Sequence, residues 1–168
     1  ASREELLDRF TGVIEDSVAV HLRSDVPWCL FYSGGIDSTI LMRVAKKVAA
    51  VPVRALTIGY DGAPAEDESG NALSLAAASG VPCERIEMTA RDFWNLAPRI
   101  AASLDDPMAD PAVLPLYMLA AAARANGFKV AISGEGADEV FGGYARYRRA
   151  TLPAFFRRKQ RRGVFTTS

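Results

Sequence analysis

The chain of 168 residues is long enough for one domain with its own core, and its 49% hydrophobic and 24% charged residues are typical of a globular protein. Its formal net charge of zero excludes a general polyanion binder. No apolar run approaches the roughly 20 residues of a membrane span. Residues 1–5 are largely charged and lack the apolar region of a signal peptide, so we expect a cytoplasmic protein without a membrane partner.

Apolar patterns predict that helices and strands alternate along the chain. Ser2 and Glu5 form a capping-box pattern before a helix from about Arg3 to Arg23. The further predictions are a strand at 28–32, a helix at 38–49, a strand at 53–58, a loop at 59–65, a helix at 66–79, a strand at 83–88, a helical stretch after Thr89 that Pro98 divides or restarts, a helix at 112–126 and a strand at 129–132. This alternation predicts an open, mostly parallel α/β sheet with helices on both faces.

Three features receive ordinary structural interpretations. Cys29 and Cys83 fall in predicted strands, which favours buried thiols in a reducing compartment over a zinc site. His21 lies in a helical stretch without a catalytic partner. Eight of the 20 Lys and Arg residues lie between Arg146 and Arg162, and such a run is more typical of a solvated helix face or the cut end of a domain than of a nucleic-acid site.

The first predicted strand is followed by the glycine-rich turn Ser33–Ser38. Gly34 and Gly35 allow a close backbone approach to a ligand, and the amides before the next helix form an anion site. The spacing and lysine of a Walker A loop are absent. Asp37 would repel phosphate unless a divalent cation bridges the two. The motif S-G-G-x-D-S resembles the pyrophosphate loop of the ATP-pyrophosphatases, which implies an adenine nucleotide α-hydrolase-like fold and cleavage of ATP between its α and β phosphates.

The fourth predicted strand is followed by a second turn, Ser133–Tyr144, with four glycines and three acids. So many carboxylates beside a sheet indicate a cationic partner. The motif S-G-E-G-A-D-E-x-F-G-G-Y resembles the synthetase domain of glutamine-dependent asparagine synthetases. The segments 57–60 and 105–110 are similar to family segments as well, although Asp106 and Met108 replace the commoner Glu and Phe.

The resemblance covers most of residues 1–149 and assigns a role to each matching position. It implies that Ser33, Gly34, Gly35, Asp37 and Ser38 hold pyrophosphate and metal, that Leu30 or Phe31 with Ile58 and Gly59 border the nucleoside, that Ser133, Gly134 and Glu135 face the acyl-adenylate, and that Asp138 shares the magnesium with Asp37. It implies ATP and Mg²⁺ as cofactors. The domain is expected at residues 1–150, incomplete at its C-terminal side, with a basic tail or truncated continuation at 151–168.

The expected reaction is an ATP-dependent carbon–nitrogen ligation. The side-chain carboxylate of aspartate, or a related carboxylate, attacks the α phosphorus, and ammonia then displaces AMP to give asparagine. Glu135 orients the amine or accepts its proton. A homodimer is a further expectation from the family.

Two departures from the family keep alternatives open. The chain begins at Ala1 and not with the family's N-terminal cysteine, so the glutaminase domain is absent from this chain and ammonia comes free or from another domain. The family's lysine beyond the second turn has no clear match, since the surroundings of Lys159 differ. The alternatives are a β-lactam synthetase or peptide cyclase on the same site, a tRNA-modifying enzyme, and a nucleotide-binding module that has lost catalysis.

Overall fold

A computed structural model describes residues 1–62, 67–106, 110–144 and 147. By contacts between Cα atoms the chain forms two compact units, Ala1–Gly134 and Glu135–Ser168. Part of the predicted loop at 59–65 with residue 66, residues 107–109 of the family-like segment, and the basic tail with Lys159 lie outside the described residues.

The first unit contains four strands and five helices among its described residues. In chain order these are α1 (Arg3–His21), β1 (Trp28–Phe31), α2 (Ile36–Val48), β2 (Ala55–Tyr60), α3 (Ser69–Ala78), β3 (Cys83–Met88), α4 (Ala90–Ala101), α5 (Val113–Ala125) and β4 (Val130–Ile132). The second unit begins with the short helix α6 (Ala137–Phe141). The predicted elements are therefore all found, β3 with the predicted bounds and the others with ends displaced by one to three residues.

The four strands form one parallel sheet in the order β3-β2-β1-β4. The chain moves outward from β1 through β2 to β3, and β4 then joins on the other side of β1. The switch in strand order therefore lies between β1 and β4, where open α/β sheets bind their ligands.

Helices cover both faces of the sheet, as predicted. Leu30 of β1 and Ala55 of β2 are buried in the cluster that joins the sheet to α1, α2 and α3. Cys29 and Leu56, their neighbours in sequence, are buried on the opposite face against α5. Successive strand residues point to opposite faces, so a strand that is covered on both sides reads as a continuous apolar run.

Helix α4 corrects one prediction. The Ser2–Glu5 capping box of α1 is present as expected, and Thr89 forms a similar box with Asp92 at the start of α4. Pro98 was expected to divide α4, but the helix runs through it to Ala101. A proline inside a helix removes one backbone hydrogen bond. The following turn is held by tertiary packing, because Ile100 is buried with Met88 and Leu114 in a third apolar cluster.

Candidate nucleotide site

Both turns leave the same edge of the sheet at the switch point. Leu30 of β1 pairs with Ile132 of β4, so the chain emerges side by side from the two strands and enters the turns at Ser33 and Ser133. The sequence located both turns after strands, but it did not determine that these strands are neighbours.

Gly34 has the backbone conformation that the first turn requires. Its φ of 79° lies in the left-handed region that favours glycine. A Cβ at this position would lie 3.0 Å from the Cα of Ala72 in α3 and 3.1 Å from its Cβ. The turn is therefore packed against the first turn and a half of α3, and no larger residue fits without moving one of them.

Hydroxyl groups stabilise the turn from within. The Oγ atoms of Ser33 and Ser38 are 3.1 Å apart, and Ser38 Oγ donates to the Gly35 carbonyl at 3.2 Å. The Gly35 N–H donates to Ser33 Oγ at 3.3 Å. Beneath the turn, the hydroxyls of buried Tyr32 and of Thr39 are 3.0 Å apart. These bonds fix the position at which α2 begins.

The start of α2 supplies amide donors. No side chain caps this helix at Gly35. Its first backbone hydrogen bond is the one that the Thr39 N–H donates to the Gly35 carbonyl. The N–H groups of residues 36–38 precede that bond and carry the positive end of the helix dipole. A glycine turn that leads into free helix amides is the arrangement that binds phosphate groups.

Asp37 lies in the first turn of α2 and is partly exposed. Its carboxylate makes no hydrogen bond or ion pair with any other residue in the described part of the chain. Carboxylate oxygens are the ligands that magnesium prefers, so the donor chemistry at this position fits such an ion. The described residues include no group of three or more His, Cys, Asp or Glu side chains arranged to hold a metal.

Gly134 brings the second turn against the first. A Cβ on Gly134 would lie 3.2 Å from the backbone nitrogen of Ser38 and 3.3 Å from its Cα. This glycine has no positive φ, so close packing and not backbone conformation explains it. The backbone at the start of the second turn is therefore in contact with the free amide end of α2.

The remainder of the second turn belongs to the second compact unit, which begins at Glu135. Gly136 and Gly142 flank α6 with φ angles of 90° and 71°. The carboxylate of Asp138 occupies the space where a side chain at position 143 would lie, and the Gly143 N–H donates to the Asp138 carbonyl at 3.0 Å. Tyr144 donates its hydroxyl to Glu139 at 2.7 Å. The roles of Glu135 and Asp138 stay predictions.

The two residues predicted as alternatives for the nucleoside wall lie on opposite faces of the sheet, and their role stays a prediction. Leu30 has no exposed surface and points into the core against α2. Phe31 is half-buried and packs in the same cluster as Ile58, on the face covered by α5. The structure thus brings Phe31 and Ile58 together and leaves Leu30 on the other face, because neighbouring strand residues point in opposite directions.

Sequence reasoning missed a polar cluster beside Gly59. Arg85 of β3 bonds Asp67 and Ser69 at the start of α3, and its guanidinium lies where a side chain at position 59 would be. The pattern Asp67-Glu68-Ser69 before a helix is a capping signal that could have indicated part of it. The bond to Arg85 crosses 18 residues, and no local pattern predicts it.

A separate cavity of about 260 Å³ opens where β2 and β3 end. Its lining consists of Tyr60, Asp61, Met88, Thr89, Ala90, Phe93 and Trp94. This lining is mostly apolar, and the helix start within it is capped by Thr89, whose hydroxyl accepts from the Asp92 N–H. The start of α2 at Gly35 has no such side-chain cap.

Cys29 is buried as expected, whereas Cys83 is only partly buried. Burial raises the pKa of the Cys29 and Cys83 thiols to about 11, which keeps both in the unreactive thiol form at neutral pH. His21 is exposed, and its Nδ1 is 2.8 Å from the Ser17 carbonyl. Within the described residues no helix is both long and apolar enough to cross a membrane.

The fold is the open parallel α/β arrangement expected of the adenine nucleotide α-hydrolase-like class, with a glycine-rich turn at the switch point of the sheet. In agreement, the structure matches an NH3-dependent NAD synthetase from Campylobacter jejuni with a TM-score of 0.53 at 19% identity, over 82% of this chain and 60% of that one. At this identity the likeness shows the fold alone.

Sequence comparison gives the family. The family model for asparagine synthase matches residues 9–166, and the chain belongs to this family. It is 41% identical over 145 residues to glutamine-hydrolysing asparagine synthetase 1 of Bacillus subtilis. The matched region covers 86% of this chain and 22% of that protein. It is 32% identical over 152 residues to asparagine synthetase B of Escherichia coli, covering 82% and 27%. The chain thus spans about a quarter of the length of the curated relatives it matches.

Proposed function

We propose that this chain forms the ATP-binding part of a ligase that adenylates the side-chain carboxylate of aspartate, releases pyrophosphate and transfers ammonia to give asparagine. The observation that carries the proposal is the contact of Gly134 with the first turn of α2. It supports a site in which Ser133 and Gly134, the start of the turn that resembles the family's signature, lie beside the phosphate-binding turn. Membership in the asparagine synthase family supports the same reaction.

The β and γ phosphates of ATP would lie on the turn Ser33–Ser38. The amides that precede the first bond of α2 and the hydroxyls of Ser33 and Ser38 donate to phosphate oxygens. Phe31 and Ile58 would border the nucleoside, with Gly59 beside them. The protein's contribution at this stage is to position the triphosphate and to stabilise its charge, which are the main sources of catalysis in phosphoryl chemistry.

The reaction balances as two substitutions. A carboxylate oxygen of aspartate forms a bond to the α phosphorus while the bond to the β-phosphate oxygen breaks, and pyrophosphate leaves. The ammonia nitrogen then attacks the acyl carbon, AMP leaves with the carboxylate oxygen, and the nitrogen loses a proton. Glu135 is our candidate for accepting that proton.

Magnesium would neutralise charge on the phosphates when bound. Asp37 is the proposed ligand in the first unit, since its carboxylate has no other partner among the described residues. That Asp138 completes the metal site is a proposal from the second turn's resemblance to the family.

The test is ATP–pyrophosphate exchange with aspartate, measured on the full natural protein with ammonia supplied directly. Supplying ammonia removes any dependence on glutamine hydrolysis. Exchange that requires aspartate would support the proposal. Exchange that requires a different carboxylate would point to a related ligase, and the absence of exchange with intact ATP binding would favour a nucleotide-binding module.

A further inference from the structure

The polar cluster beside Gly59 connects β3 to the start of α3. Arg85 Nε donates to Ser69 Oγ at 2.8 Å, and Arg85 Nη2 donates to Asp67 Oδ2 at 3.0 Å. The other oxygen of Asp67 accepts the Ser69 N–H at 2.9 Å. The third guanidinium nitrogen lies 3.5 Å from Glu87. The planar guanidinium thus fixes the first turn of α3 through two separate groups, which a lysine could not do with the same geometry.

This cluster is sheltered and stays charged. The side chains of Arg85 and Asp67 are 30% and 17% exposed, and Ser69 is buried. Hydrogen bonds from the Ser69 side chain and N–H, and then from Arg85, lower the pKa of Asp67 to about 2. The ion pair is therefore complete throughout the physiological pH range.

Two contacts connect the cluster to the nucleotide site. The guanidinium of Arg85 packs directly on the backbone of Gly59, where a Cβ would overlap its Nε and Cζ atoms. On the other side, α3 continues from Ser69 to Ala72, which packs against Gly34 of the pyrophosphate turn. The position at which α3 begins therefore limits how closely the turn Ser33–Ser38 packs against the sheet.

We infer that Arg85 is a positioning residue for the pyrophosphate-binding turn, acting through Asp67, Ser69 and the start of α3 on Gly34. This inference rests on the proposed function. Without Arg85, Asp67 and Ser69 lose the hydrogen bonds that attach the first turn of α3 to β3. Ala72 and Ala76 still pack on the sheet, but the start of α3 is no longer fixed beside Gly34.

The experiment compares ATP, pyrophosphate and AMP binding by calorimetry in the full natural protein. Arg85→Gln removes the charge and is expected to weaken ATP and pyrophosphate binding at least tenfold (about 1.4 kcal/mol by the affinity relation), while AMP binding changes less than about threefold. Arg85→Lys keeps the charge but not the two-point geometry, and we expect a loss of about threefold for ATP.

A matched control is Lys47→Gln. Lys47 pairs with Glu15 at 2.5 Å and joins α1 to the last turn of α2, at the opposite end of that helix from the turn. This variant removes an ion pair between two elements and should leave the affinity for all three ligands unchanged.

The outcomes are distinguishable. Failure of the unaltered protein to bind ATP or pyrophosphate refutes the proposed function. Normal ATP binding by the unaltered protein and by Arg85→Gln overturns the present inference alone. Equal losses for ATP and AMP also overturn it, because they indicate general loss of structure. If Arg85→Gln does not fold, Asp67→Asn replaces it, with the same selective loss of ATP and pyrophosphate binding expected and an equal or absent loss contradicting the inference.

Discussion

The two glycine-rich turns differ in what holds them in place. The first turn, Ser33–Ser38, is fixed within the first unit by the packing of Gly34 on α3 and by hydroxyl contacts above and below. In the second turn, Ser133 and Gly134 belong to the first unit, and the acids that follow belong to the second. The first turn is thus fixed by packing and hydrogen bonds at the edge of the sheet, whereas glycines with positive φ flank the short helix that contains Asp138 and Glu139 of the second turn.

Among changes to the packing of the turns, the largest expected effect comes from crowding the first turn. Gly34→Ala forces a side chain into a left-handed conformation and against Ala72. We expect destabilisation of about 1–3 kcal/mol and a loss of pyrophosphate affinity of more than tenfold. Chemical denaturation and calorimetry measure the two quantities.

Gly127→Ala is the matched control for this prediction. Gly127 has a similar φ of 82°, but no atom of the described residues lies within 4 Å of its Cβ position, and it follows the end of α5. It should show the backbone cost alone, about 1 kcal/mol, with unchanged affinity. Equal effects of the two substitutions on pyrophosphate binding would contradict the packing explanation.

The next effect tests the contact between the turns. Gly134→Ala introduces no backbone strain, but its Cβ meets the first turn of α2 at 3.2–3.3 Å. We expect a smaller loss of stability, about 1 kcal/mol, and a loss of ATP affinity of roughly threefold to tenfold. Gly12→Ala, in open space within α1, should instead stabilise the protein by about 0.5–1 kcal/mol. Unchanged ATP binding in Gly134→Ala would show that the contact between the two turns does not affect ATP binding.

The smallest effect concerns pH and the support beneath the first turn. The pKa of Asp67 falls from 3.8 to about 2 on folding, so its carboxylate contributes stability above its unfolded pKa. This contribution is complete above about pH 5 and is lost as the pH falls from about 4 to 2. Asp67→Asn should therefore be less stable than the unaltered protein at neutral pH, with the difference disappearing near pH 2. A difference that is independent of pH would show that the charge of Asp67 is not involved.

Local patterns predicted the elements well because each is encoded over a few residues. The bounds of β3 were predicted without error, and β1 ends one residue early, at Phe31. Pro98 misled because the packing of Ile100 stabilises the turn that proline weakens. Contacts between residues far apart in sequence could not be predicted from local patterns. The placement of Leu30 and Phe31 on opposite faces depends on how the helices cover the sheet, and the bond from Arg85 to Asp67 depends on how α3 lies across β2 and β3.

The most direct measurement of the central claim uses Asp37→Asn in the full natural protein. The substitution removes the carboxylate at the start of α2 and preserves its shape, and Asp37 has no partner among the described residues whose loss would disturb folding. We predict that aspartate-dependent ATP–pyrophosphate exchange falls at least a hundredfold, about 2.7 kcal/mol or more, while the circular dichroism spectrum and unfolding midpoint stay unchanged. Exchange at the unaltered rate would contradict the assignment of this turn as the site of pyrophosphate and metal.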